Sequence, residues 1–124
     1  VMQLVDLAAS LAAARHARMP VVTASIDHLD FLHPVHIGQL MVLRSAVNRV
    51  FHTSMEVGVR VCVEDLLTGD VRHTSSAYLT FVALGKDGRP AVIPSVVPET
   101  DDEKRRYEQA GERRRYRLET RLRA

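Results

Sequence analysis

A chain of 124 residues, 46% hydrophobic and 26% charged, fits one globular domain able to bury about two thirds of its unfolded surface. The lone Cys62 excludes an intrachain disulfide framework and fits a reducing, cytoplasmic setting, and no uninterrupted apolar run marks a membrane span. The net charge of +2 is uneven: residues 101–124 hold nine Lys/Arg against six Asp/Glu, while the rest is slightly acidic.

The opening VMQLVDLAASLAAA predicts a helix, because Ala and Leu dominate it and Met2, Val5, Ala9, Ala12 and Ala13 recur at helical spacing. Leu4, Leu7 and Leu11 form a second apolar stripe, so the helix is expected to be enclosed by the fold. Asp6 is its one charge before Arg15. An unpaired carboxylate on such a helix is costly, so Asp6 either complements the helix dipole near its start or is held for chemistry. The start lacks a basic segment and Asp6 interrupts its apolar run, so it does not read as a signal peptide. Val1, where an initiating Met would stand, suggests a sequence that begins inside a longer protein.

Arg15, His16 and Arg18 suit the last helical turn and Pro20 stops it. VVTASIDHLDF follows as a strand, then a bend through Pro34 and Gly38, then QLMVLRSAVNRVF as a second strand. In TSMEVGVRVCVED, Met55, Val57, Val59, Val61 and Val63 alternate strictly with Glu56, Gly58, Arg60, Cys62 and Glu64, which predicts a half-buried strand. A short turn carrying Gly69 leads into VRHTSSAYLTFVAL as its antiparallel partner. Residues 91–99 read as an extended, Pro-containing connection, and Thr100-Asp101-Asp102-Glu103 as a capping box opening a charged surface helix. The class is α+β: an antiparallel sheet curled around one apolar helix, whose N-terminal end would open at a rim.

His28, Asp30, His33 and His36 have metal-ligating chemistry, but their spacing matches no metal motif and Pro34 splays the last two, so no metal is expected. Cys62 lies mid-strand without a nucleophile signature and is read as inert. In the tail, Glu108 and Glu112 stand within helical reach of basic residues, as on a solvated helix. Aromatic residues are too few for a nucleic-acid stacking platform, so no nucleic-acid partner is expected.

Four blocks in order, residues 21–27 (VVTASID), 49–57 (RVFHTSMEV), 64–69 (EDLLTG) and 77–83 (AYLTFVA), with ERRR at 112–115, resemble the hotdog-fold acyl-CoA thioesterases, and most of all the cytosolic acyl-CoA hydrolases. The resemblance implies a hotdog domain over residues 1–90 lacking an N-terminal segment, a linker at 91–100 and a charged helix at 101–124. It implies a hydrolase releasing free CoA and a carboxylic acid, with Asp6 as general base or nucleophile. Coenzyme A contacts would fall on Ala24, Ser25, Ile26, Thr53, Ser54, Met55 and Arg115. No cofactor is implied, since the CoA moiety belongs to the substrate. The family builds its sites between subunits, implying a homodimer and a trimer of dimers. An acyl-CoA sensor on the same fold is the alternative, since fold alone does not fix activity. A hydratase would need a paired Asp/His signature, which is not found.

Overall fold

In the computed structural model, which describes residues 2–31 and 36–123, the elements run α1 (Met2–Ala17), β1 (Val21–Phe31), β2 (Gln39–Phe51), β3 (Ser54–Asp65), β4 (Val71–Ala83) and α2 (Asp101–Arg123). The strands form one antiparallel sheet in the order β1-β4-β3-β2. This is the helix-then-strands order that the hydrophobic periodicity predicts. Helix α1 ends on Arg18, whose N–H donates to the Ala14 carbonyl at 2.8 Å with φ of 55°, a left-handed cap that usually belongs to glycine.

The two faces of the sheet are covered differently. Val5, Ala9, Ala13 and Ala17, four apart on α1, are buried against Met55, Val57, Val59 and Val61 of β3 and Leu79 and Phe81 of β4. Alanine at the contact lets the helix backbone approach the sheet, and each large side chain enclosed there contributes about 1.5–3 kcal/mol. The expected enclosure of the whole helix does not occur within the protomer. Leu4, Leu7 and Leu11 are 46%, 54% and 63% exposed, because the sheet covers only the stripe turned toward it.

Helix α2 lies on the opposite face, where sequence alternation predicts solvent. There Glu56 is completely buried. Its Oε1 and Oε2 accept hydrogen bonds from Arg113 at 2.6 and 3.0 Å, and Asn48 donates to Oε1 at 3.0 Å. Burial disfavours the charged guanidinium of Arg113, but the hydrogen bonds and charge of Glu56, aided by Tyr78 and Asp27, outweigh it and raise its pKa. The ring of Tyr78 lies 3.6 Å beneath the same guanidinium. Asn48 is the unpaired residue of a β2 bulge, between Val47 opposite Val57 and Arg49 opposite Glu56. Gly58 makes room for it: a Cβ there would stand 2.7 Å from Asn48 Nδ2.

Thr100 caps α2 as expected, its Oγ1 accepting from the Glu103 N–H at 3.1 Å, while the Glu103 carboxylate accepts from the Thr100 hydroxyl at 3.2 Å and from the Glu99 N–H at 3.5 Å, a variant of the capping box. The connection before α2 straps the sheet end to α1. The Ile93 N–H bonds the His52 carbonyl at 2.8 Å, Ile93 joins the core, and His16 Nε2 donates to the Pro94 carbonyl at 2.7 Å. Gly38 takes φ of 94°, as its place in the bend requires.

Candidate active site

Asp6 lies beyond the first turn of α1, which carries no acid, so the dipole at the helix start has little hold on it. The carboxylate is half-buried, and Thr23 Oγ1 of β1 donates to its Oδ1 at 3.2 Å. The bond fixes one oxygen and leaves the other with accepting capacity. A carboxylate held this way can take a proton from water or from a polarised group placed above it.

Immediately after Thr23 the strand bulges. Thr23 pairs with Phe81 and Ser25 with Thr80, leaving Ala24 between them without a partner. The expected contact block Ala24, Ser25 and Ile26 thus lies on an edge strand, with Ala24 and Ile26 exposed and Ser25 half-buried. The second block sits at the same end of the sheet, because Ser54 pairs with Val82 and Met55 with Phe81 on the other side of β4. The register brings the two blocks to within two strand spacings, about 10 Å. Thr53 and Ser54 are half-buried at the β2–β3 turn, where His52 carries φ of 65°. The Met55 side chain is fully buried in the core beneath this row.

Arg115 is exposed on α2. Its neighbour Arg114 is the residue that reaches the turn, with Nη1 3.4 Å from Ser54 Oγ and the guanidinium 4.5 Å from the Phe51 ring centre. One turn further, Arg117 forms an ion pair with Asp27 of β1. Ile26, Asp27, Arg113, Tyr116 and Arg117 line a cleft of about 730 Å³ between β1 and the end of α2. The charged tail therefore turns arginines inward onto Glu56, Ser54 and Asp27, where the sequence suggested a helix paired within itself. Thr23 and Arg114 are functional candidates that periodicity alone did not single out.

The side chains of His28 and Asp30, and all of His33, lie outside the described residues, and His36 is exposed. Among the described residues no three His, Cys, Asp or Glu side chains gather as a metal site.

The profile of the thioesterase superfamily matches residues 1–69. The chain belongs to that superfamily. It is 46% identical over 102 residues to YkhA of Bacillus subtilis, described as an uncharacterized acyl-CoA thioester hydrolase, with 82% of this chain and 59% of that protein covered. The chain thus spans about three fifths of that relative's length.

Among solved superfamily members, an apo-hexameric acyl-CoA thioesterase superposes with a TM-score of 0.92 at 41% identity, over 96% of this chain and 76% of that one. The acyl-CoA hydrolase of Staphylococcus aureus, solved with butyryl coenzyme A, coenzyme A and coenzyme A disulfide, gives a TM-score of 0.90 at 37% identity, over 98% and 74%. Variants of that enzyme replace an aspartate and a threonine by alanine at positions 17 apart, the separation between Asp6 and Thr23. The thioesterase fold seen here, a helix on one face of an antiparallel sheet, is the hotdog.

Proposed function

We propose that this chain carries the catalytic hotdog domain, over residues 1–90, of a cytoplasmic acyl-CoA thioesterase, with Asp6 as its base. The connection at 91–100 and the helix at 101–124 complete the binding face. The observation that carries this reading is the half-buried Asp6 carboxylate, oriented by Thr23 beside a bulged edge strand. Membership of the superfamily, and relatives described as acyl-CoA hydrolases, point the same way.

In this mechanism Asp6 accepts a proton from a water molecule as that water attacks the thioester carbonyl. The tetrahedral intermediate collapses with cleavage of the C–S bond, and the proton held by Asp6 passes to the departing CoA thiolate. Direct attack by Asp6 would instead pass through a mixed anhydride. A single turnover in ¹⁸O-labelled water tests for the second route: the base route puts label only into the released acid, whereas an anhydride hydrolysed at the Asp6 carbonyl leaves label in Asp6.

Small side chains at Ala24 and Ser25 leave the edge strand open to a pantetheine arm, the exposed Ile26 offers it an apolar contact, and Thr53 and Ser54 offer hydroxyls across β4, with Met55 supporting them from the core. Arg115 is free to meet a phosphate. Strands β1 and β2 bound the described sheet, so a second copy can extend it by edge pairing. The assembly we infer is a homodimer, and a trimer of dimers after the hexameric neighbour. Light scattering behind a sizing column tests it: a monomer mass would refute the shared site.

The activity test is release of free thiol from a panel of acyl-CoAs. Turnover supports the reading. Binding of CoA esters without cleavage would replace it with a sensor.

A further inference from the structure

The sheet face beneath α2 carries a second cluster, well removed from Asp6. Arg44 of β2 and Arg60 of β3 are direct cross-strand partners. Both are exposed and both stand on the α2 side, so two like charges face each other, an arrangement that works against pairing. Across from them, the first turns of α2 bring up Arg105 and Arg106, and together these residues enclose a groove of about 390 Å³. His73 closes one side, its Nε2 at 2.7 Å from Ser76 Oγ, and Ser76 is the register partner of Arg60.

Among the described residues no carboxylate lines this groove. Glu56, on the same face of β3, is fully buried and committed to Arg113 and Asn48. Asp102 meets Arg105 at 3.2 Å, but both side chains are largely exposed, and such a pair is readily exchanged. Among the described residues, four guanidinium groups with one surface carboxylate form a site short of negative charge.

We propose that this groove binds a diphosphate group, with Arg44 and Arg60 as its floor and Arg105 and Arg106 as its far wall. A guanidinium presents a planar fork that matches two phosphate oxygens, and a diphosphate offers two such edges on one compact anion. It can therefore neutralise both floor arginines at once, which a carboxylate or a singly charged anion cannot. Arg60 is six residues along β3 from Ser54, about 20 Å at strand rise, so the groove is separate from the turn that Arg114 touches. The diphosphate could be a free anion or the one in the nucleotide end of a CoA molecule. The recognising chemistry is the same.

The test is calorimetric titration of the whole chain with inorganic pyrophosphate at low salt, with sulfate and monophosphate as comparisons. Pyrophosphate is expected to bind at least about tenfold more tightly than either, and Arg44→Gln with Arg60→Gln to lose about tenfold or more, as for charge-assisted hydrogen bonds removed. The melting temperature of that double variant should hold or rise, since a repulsive pair has gone, and Arg89→Gln in a distant turn should bind as the parent does. Repeating the titration with CoA assigns the source. A parallel loss in the double variant makes the diphosphate that of CoA; unchanged CoA affinity makes it a free anion. Equal affinity for sulfate and pyrophosphate, or full binding by the double variant, overturns the proposal.

Discussion

The Thr23 hydroxyl donates to Asp6 at 3.2 Å, tying an edge strand to the one acid of helix α1. The bond spans two elements, so it sets the carboxylate plane relative to the sheet end where Ala24–Ile26 and Thr53–Met55 converge. A base oriented in this way needs less reorganisation during proton transfer than one free to rotate.

Thr23→Val keeps the β-branched shape that suits a strand and removes only the donor. A drop of about tenfold in kcat is expected, with KM little changed, as for one lost charge-assisted hydrogen bond. Thr23→Ser should retain most of the rate. Steady-state kinetics on the three proteins decides it, and an unchanged kcat in Thr23→Val would remove Thr23 from the site.

Much of this arrangement was legible in the sequence, and the omissions have physical causes. Strict alternation from Met55 to Val63 announced β3, and Ala spacing announced α1, because both periods report directly which side faces the core. Alternation cannot say what lies over the polar face. Glu56 looks solvent-facing by its position, and only the docking of α2 buries it. The same docking draws in Arg113, Arg114 and Arg117, whose partners lie far away in sequence. The bulge at Ala24 was hidden too, since it depends on register against β4. Leu4, Leu7 and Leu11 show the opposite limit: their spacing marks an apolar stripe without saying what covers it.

Glu56→Ala leaves the Arg113 guanidinium without its buried counter-charge, and a stability loss of about 3–5 kcal/mol is expected, read as a lower urea midpoint. Glu56→Gln should lose less, because an amide oxygen still accepts hydrogen bonds. The Arg113 pKa is raised in the folded protein, so its contribution is complete below the unfolded value and fades only as pH climbs through the folded one. The difference between parent and Arg113→Met should therefore be equal at about pH 7 and about pH 9.

Gly58→Ala tests the same network by crowding. The new methyl would lie 2.7 Å from Asn48 Nδ2, and Asn48 cannot withdraw without releasing Glu56. A cost of about 1–3 kcal/mol is expected for such overpacking, measured by urea unfolding. Neutral behaviour would mean that Asn48 repacks freely.

Arg18→Gly runs the other way. Arg18 caps α1 in the left-handed region at φ of 55°, where a Cβ costs about 1–2 kcal/mol and glycine is favoured. After glycine's greater chain entropy is set against that, a net gain of about 0.5–1 kcal/mol should appear as a higher Tm. A lower Tm would show that the arginine side chain supports the cap.

The most direct measurement on the whole account is thiol release from acyl-CoA by the parent and by Asp6→Asn, with circular dichroism to confirm an intact fold. Asparagine keeps an oxygen for the Thr23 hydroxyl but cannot take a proton, so kcat should fall by at least about a hundredfold, within the range for a lost general base, while CoA binding persists. A folded Asp6→Asn protein that turns over at the parent's rate would contradict the account.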